Sequence, residues 1–328
     1  MHNSKVDVAV LLIFFNREKQ FKEVFEEVKK ARPSRLYLYQ DGARKGREDD
    51  LTGISACRKI AENIDWECEV SRWYQDENVG CDPSEFLAQK WMFATETKGI
   101  ILEDDDVPSQ TFFEYCKELL DKYESDERVG MISGMNHCGV SEEKKTSYFY
   151  SYNGAIWGWA TWKRVVDTWD EHYTWLEDKD AVTALRQRFY SKAAYDNFIK
   201  RASAHKESGI AHYESILAAA LYLNGQYCII PKYNLISNIG TGEDTTHSVS
   251  NVKYLSKDAR SQINMKRYDI EFPMRHPLYA LRDMSYEKLV TCTTAKEKRR
   301  QVERFLLRIR YGDFKYIFQK LKKIIQHI

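Results

Sequence analysis

Four consecutive carboxylates, Glu103-Asp104-Asp105-Asp106, stand directly behind the apolar run Ile100-Ile101-Leu102. Like charges at successive positions repel, and a strand gains nothing structural by ending that way. A cation relieves the repulsion, and Mg²⁺ or Mn²⁺ takes oxygen ligands, commonly one or two carboxylates together with the phosphates of a substrate. The structural alternative is a solvated acidic turn in which Asp106 or Ser109 caps the next helix. Two further groups suit the same chemistry. Asn16-Arg17 follows the apolar stretch Val8–Phe15, and Asp41 lies in Tyr39-Gln40-Asp41-Gly42. An Asp so placed accepts the N3–H of a uracil or thymine ring, while an Arg stacks on the ring or pairs with phosphate. The segment Trp157-Gly158-Trp159 offers flat apolar faces for sugar rings, with the glycine allowing close backbone approach, unless these rings form a core seam. His247 follows a Thr/Gly loop and can close over a diphosphate or ligate a metal as neutral imidazole.

The elements that must position these residues are legible in the first 130 positions. Val8–Phe15 and Leu36–Tyr39 are apolar runs of strand length, with Phe21, Val24, Phe25 and Val28 between them at helical spacing. That helix must stop before Pro33. A second helix carries Cys57, Ile60, Ala61 and Ile64, and a strand follows near Cys68–Tyr74. Leu87, Trp91 and Ala94 mark a third helix, and Gly99–Leu102 a buried strand running into the acidic motif. Phe112, Cys116, Leu119 and Tyr123 form a fourth stripe ahead of a strand at Val129–Ser133. This alternation is that of a parallel α/β sheet, in which ligands bind at the carboxyl ends of the strands. All three chemical groups fall at such ends. Later, a helix over Ala211–Leu223 leads to a strand at Tyr227–Ile230, and Ser237–Ser250 reads as a polar loop.

Composition narrows the function classes. The 328 residues are 43% apolar and 30% charged with 6 Pro, which excludes disordered and low-complexity readings. The apolar run Val8–Phe15 is far shorter than the roughly 18–20 residues of a membrane span, and no cleavage-site pattern follows it, so the expected location is cytoplasmic. Seven scattered cysteines, never in a Cys-x-x-Cys pair, read as reduced thiols. Residues 296–328 hold 11 Lys/Arg against 3 Asp/Glu, so the rest of the chain is acidic, which argues against nucleic acid as a partner.

On these residues the first half resembles sugar-nucleotide glycosyltransferases of the GT-A fold, in which a D-x-D-type motif holds the metal bound to a nucleotide diphosphate. The likeness is closest to the N-acetylglucosaminyltransferases that start N-glycan branching. Their Glu-Asp-Asp motif and Asp-Phe-Phe-Glu-Tyr helix start compare with Glu103-Asp104-Asp105 and Thr111-Phe112-Phe113-Glu114-Tyr115. The resemblance implies that Asp105 ligates the metal, that Glu103 and Asp104 orient ribose and phosphate, that Arg17 is the basic residue after the first strand, and that Asp41 reads uracil. Asn78-Val79-Gly80-Cys81 matches the donor-side loop. The second half resembles a bacterial group encoded with cell-surface polysaccharide genes, through Ile156–Trp162, which includes Trp159, and Ser237–His247. Together the two likenesses cover about residues 5–280.

The fold so implied is α/β: a GT-A fold with a Rossmann-like, mostly parallel central sheet, flanking helices and a C-terminal helical extension. Residues 1–135 would form the nucleotide-sugar-binding half, 136–280 the acceptor-binding half of the same domain, and 281–328 a basic amphipathic tail. The function implied is metal-dependent, inverting transfer of a sugar from a nucleoside diphosphate, UDP ahead of dTDP, to a saccharide acceptor, lipid-linked ones included. Mn²⁺ or Mg²⁺ is the expected cofactor. An inverting transferase needs a carboxylate within reach of the acceptor hydroxyl. The family places it in a Trp-Asp-x-x-Trp-like segment; the corresponding Ala211-His212-Tyr213-Glu214-Ser215 lacks both Trp and Asp. Glu214 is the candidate base as the carboxylate there, His212 is second, and Glu243 and Asp244 are further candidates. A nucleotidyltransferase is an alternative, although Phe14-Phe15-Asn16-Arg17-Glu18 lacks the glycines of a phosphate loop. A carbohydrate-binding protein without catalysis is another. In the tail, Phe314, Ile317, Phe318, Leu321, Ile325 and Ile328 recur at helical spacing among Lys315, Lys320, Lys322 and Lys323. That pattern suits either the inner face of an anionic membrane or packing on the main domain or a second subunit.

Overall fold

In the computed structural model, residues 2–240, 254–290 and 294–312 are described. The first apolar run forms β1 (Val6–Phe14), buried throughout except at Val6's neighbour Asp7. Helix α1 (Glu18–Ala31) turns Phe21, Val24, Phe25 and Val28 inward, and Phe21 stacks on Phe14 with ring centres 4.2 Å apart. It ends where Arg32 turns left-handed ahead of Pro33. The alternation continues through β2 (Pro33–Gln40), α2 (Glu48–Ala61), β3 (Glu69–Tyr74), α3 (Cys81–Thr95) and β4 (Lys98–Glu103). After β4 come β5 (Asp106–Pro108), α4 (Thr111–Lys122), β6 (Val129–Ser133), β7 (Tyr148–Ser151), β8 (Trp159–Trp162), α5 (Lys163–Val166), α6 (Lys179–Leu185), α7 (Lys192–Ser208) and α8 (Tyr213–Leu223). The last elements are β9 (Tyr227–Pro231), β10 (Ile236–Asn238), α9 (Lys257–Arg260), α10 (Met284–Val290) and α11 (Thr294–Arg310).

Eight strands make one Rossmann-like sheet in the order β3-β2-β1-β4-β8-β6-β9-β7. Six run the same way; β8 is antiparallel to β4 and β6, and β7 to β9. Strands from both halves of the chain interleave, since β8 lies between β4 and β6. The chain leaves β1 for β2 on one side and returns through α3 to β4 on the other. The carboxyl ends of β1 and β4 therefore diverge at a topological switch point, where a crevice forms.

Three local expectations change. Ser237 and Asn238 belong to β10, not to a loop, because Ser237 pairs with Val107 and Asn238 with Asp106 in an antiparallel ladder with β5. Helix α3 buries Glu85, Ala88, Gln89 and Met92, while Leu87 and Trp91 are only half-buried and Ala94 is exposed. Its inward stripe starts with polar side chains, which a search for apolar periodicity passes over. Asp106 caps no helix: it is buried and accepts a hydrogen bond from the backbone N–H of Gly158 at 2.9 Å. The six cysteines among the described residues are free thiols. His247, Glu243, Asp244 and the tail from Phe314 lie outside the described residues.

Gly158 joins the Trp157 turn to β8 with φ +60°, and a Cβ there would stand 2.4 Å from Cδ1 of Ile236 in β10. Left-handed backbone and overpacking both penalise a side chain at this point. Gly158→Ala is expected to destabilise the protein by about 2–4 kcal/mol, read as a lower urea midpoint at unchanged slope. A midpoint equal to wild type would show that Ile236 yields freely.

Candidate functional site

The acidic run is held from both sides. Arg17, just past β1, donates from Nε to Asp104 Oδ2 at 3.3 Å, pairs through Nη2 with Asp104 Oδ1, and places Nη1 2.7 Å from Asp105 Oδ2. The Phe15 N–H also donates to Asp104 Oδ2, at 3.3 Å. From the other side Asn238 Nδ2 donates to Asp105 Oδ1 and to Asp106 Oδ1, each at 3.0 Å. Gly240 lets this approach occur, because a Cβ there would stand 1.9 Å from Asp105 Oδ2. Tyr213, the first residue of α8, donates its hydroxyl to Glu103 Oε1 at 3.3 Å.

A fifth carboxylate joins the run. Glu85 of α3 is buried, and its proton is held well above the ordinary carboxyl range by burial first and then by Asp106, Asp104 and Asp105. Burial and neighbouring carboxylates raise Glu103 and Asp106 in the same way. Asp105 is also raised by burial, although Arg17 pulls against it. Burial disfavours the Arg17 charge, but Asp104 and Asp105 outweigh that and hold the guanidinium protonated. Five carboxylates with one guanidinium between them cannot all ionise readily in a place poor in water, which is why Glu85, Glu103 and Asp106 bind their protons more tightly. Glu85 carries no motif signal; its position in the first turns of α3, beside the acidic strand end, is what brings it in. Asn238 was visible only as part of a matching stretch.

The remaining residues singled out from sequence divide sharply. Asn16, Arg17, Asp41, Asn78, Glu103 and Asp104 line one cleft at the ends of β1, β2 and β4, together with Phe15 and Arg44. Within it Asp41 is saturated: Oδ1 accepts from the N–H groups of Gly42 and Val79, both at 2.9 Å, and Oδ2 from Asn78 Nδ2 at 2.7 Å and Gly80 N at 3.1 Å. A carboxylate has about four acceptor positions, so reading a base N–H here requires one of these donors to move. As it stands, Asp41 fastens the Asn78-Val79-Gly80 turn to the end of β2. Asn16 is tied to α2 through Asp50 Oδ1 at 2.8 Å. Trp159 is a correction: it is fully buried in β8, so its ring offers no face to a sugar. Every residue of β8 is buried, so the strand has no open face, and Trp157, in the turn ahead of Gly158 and outside the strand, lines a separate cavity instead.

That cavity, about 620 Å³, is bounded by Tyr152, Trp157, Arg188, Arg201, Glu214 and Tyr222 among others. Glu214 is exposed to it from the first turn of α8. His212 goes elsewhere. Its Nδ1 lies 3.2 Å from Asp82 Oδ2 at the start of α3, and its ring stacks on His205 with centres 3.8 Å apart. The two candidate bases are thus separated by the helix start between them. Among the described residues, no three His, Cys, Asp or Glu side chains are arranged to hold a metal by themselves. The hard oxygen donors, whose ionisation burial and mutual repulsion oppose, nevertheless fit a divalent cation completed by phosphate oxygens.

No protein-family model and no curated protein matches the chain. Solved structures that follow part of its course include UDP-glucose pyrophosphorylase complexed with UDP-glucose, at 9% identity over 49% of this chain and 78% of that one, TM-score 0.31. Others are the inositol-1-phosphate CTP transferase from T. maritima, at 13% over 52% and 77%, TM-score 0.31, and 4-diphosphocytidyl-2C-methyl-D-erythritol synthase from Anaerococcus prevotii DSM 20548, at 12% over 66% and 98%, TM-score 0.29. So slight a likeness carries no argument about activity, which rests on the residues themselves.

Glu85 gives the electrostatics a measurable sign. Its folded-state proton affinity lies above the ordinary value of 4.5, so its contribution to stability is full below that pH and is lost as pH rises through the folded value. Glu85→Gln, which keeps the shape and removes the charge, is expected to flatten the decline in stability between acid and neutral pH and to raise the urea midpoint at pH 8. An unchanged pH profile would mean that Glu85 ionises freely in the folded protein.

Proposed function

We propose that the protein is a metal-dependent glycosyltransferase that moves a sugar from a nucleoside diphosphate, UDP foremost, to a saccharide acceptor with inversion. The observation that carries this reading is the acidic strand end at the switch point between β1 and β4, joined through Tyr213 and the start of α8 to a second, roomier cavity holding Glu214 and Trp157. Two recesses meeting at one helix start suit a reaction between two bound substrates.

In the donor cleft, Asn78 and Asp41 form the rim for the nucleoside, and Phe15, with the Arg44 guanidinium 5.4 Å from its ring centre, supplies a flat wall. Glu103 and Asp104 reach the ribose and the phosphates. Asp105, with Asp104 beside it, would hold Mn²⁺ or Mg²⁺. When bound, the cation neutralises charge building on the departing diphosphate. Arg17 stays within the cleft as a bidentate phosphate donor once a cation shares its carboxylates. In the acceptor cavity Trp157 offers a half-buried ring to a sugar. Glu214 takes the proton of the acceptor hydroxyl as that oxygen bonds to the anomeric carbon and the bond to the diphosphate breaks. His212, held by Asp82, positions the start of α8 instead of serving as base.

Calorimetry with UDP is expected to show tighter binding with Mn²⁺ than with EDTA, and Asp105→Asn is expected to abolish the difference while leaving the unfolding midpoint close to wild type. Equal affinities in both conditions would overturn the metal assignment. Turnover of nucleotide sugars separates the chemistry: release of UDP supports sugar transfer, whereas release of pyrophosphate from a nucleoside triphosphate and a sugar phosphate would assign nucleotidyl transfer.

Glu214→Gln is expected to lower kcat by about 10²–10⁴ with donor affinity retained, the usual effect of removing a general base. Near-normal turnover would place the base elsewhere.

A further inference from the structure

Helix α11 meets the protein with a side that is mostly charged, with Phe305 and Leu307 half-buried beside it. Glu303 accepts a hydrogen bond from the backbone N–H of Lys257 at 2.9 Å, and the Arg308 guanidinium lies 4.8 Å from the centre of the Tyr254 ring. Arg300 and Arg304, on the same side as Arg308, are half-buried. Val302, Leu306 and Ile309 point the other way and are 59%, 57% and 46% exposed. Their spacing of four and three residues draws one stripe along the helix, and exposed Arg299 and Arg310 stand at its two ends. An amphipathic helix of a globular protein normally turns this stripe to the core. Here it faces out.

We propose that this outward stripe is an attachment face for an anionic lipid bilayer, with the aliphatic side chains seated at the headgroup boundary and the arginines at the level of the lipid phosphates. Charge decides between occupants. Helix α11 holds 7 Lys/Arg against 2 Asp/Glu, and exposed Arg299 and Arg310 stand beside the stripe, so this cationic helix fits a negative surface better than a second copy bearing the same charge. Among the described residues no helix is long and apolar enough to cross a membrane, so α11 would lie along the surface. The stretch leading into it adds exposed aliphatic side chains, with Leu278 84%, Leu281 71% and Leu289 64% exposed. The proposal stands apart from the transfer reaction, since none of these residues lines the donor cleft or the acceptor cavity.

Sedimentation of the full chain with vesicles tests it. The protein is expected to pellet with phosphatidylcholine vesicles containing about 30% phosphatidylglycerol at roughly 0.1 M salt, to remain in solution with phosphatidylcholine alone, and to be released as salt rises toward about 0.5 M. Leu306→Asp and Ile309→Asp, on the outward face, are expected to lower the partition coefficient at least about tenfold without moving the unfolding midpoint. Arg299→Glu should weaken binding to anionic vesicles alone. Wild-type protein that stays in solution, or a Leu306→Asp variant that pellets equally, would overturn the assignment. So would a dimer in sedimentation equilibrium that Leu306→Asp dissociates, which would give the face to a second copy. UDP binding by the same samples reads the donor cleft separately.

Discussion

Arg17 stands between Asp104 and Asp105 within a group of carboxylates withdrawn from water, and much of the surrounding structure serves that arrangement. Two like unit charges about 4 Å apart repel by roughly 4 kcal/mol at an effective dielectric of about 20. Net stabilities of whole domains are only about 5–15 kcal/mol. Several such pairs cannot all remain ionised without compensation. Two things oppose that repulsion: the guanidinium, and the raised proton affinity of Glu85, Glu103 and Asp106. A site whose carboxyl groups are held back from ionising is prepared to take up positive charge, which is the physical basis for the metal and diphosphate chemistry proposed.

The fold supplies the positions. Divergence of the chain at β1 and β4 opens the crevice, and the short β5–β10 ladder brings Asn238 against Asp105 and Asp106. Asn238 donates to both carboxylates and so favours their charged forms. The same ladder sets Ile236 against Gly158, so the turn after Trp157 and the acidic strand end are mechanically joined. Hydrogen bonds donated to Asp41 hold the Asn78 turn as a fixed rim, so the cleft at the ends of β1, β2 and β4 is preformed by backbone contacts on one side and by ion pairs on the other.

The start of α8 links the two recesses. Tyr213 faces Glu103, Glu214 faces the larger cavity, and His212 faces Asp82. Three successive residues at a helix start point in three directions because the 100° turn per residue and the non-helical backbone of His212 separate them. Any shift of this helix start therefore acts on both recesses at once.

The sequence by itself determined the strand and helix alternation, the strand ends carrying Arg17, Asp41 and the acidic run, and hence the edge of the sheet where chemistry belongs. These are short-range properties: an apolar run of strand length, a helical period and a proline stop are written within a dozen residues. Tertiary structure alone decided which side chains meet there. Asn238 bonds to carboxylates 133 and 132 residues away, and Glu85 arrives on a helix whose inward stripe is polar where it passes the strand end. Trp159 enters the core while Trp157 does not, because β8 is inserted between β4 and β6 and buried along its whole length, whereas Trp157 lies in the turn that the left-handed Gly158 sets off from the strand. The saturation of Asp41 depends likewise on a turn 37 to 39 residues along the chain. Local periodicity records that a side chain is near an end or on a face; only the closed sheet and its long-range contacts determine which partner stands opposite it.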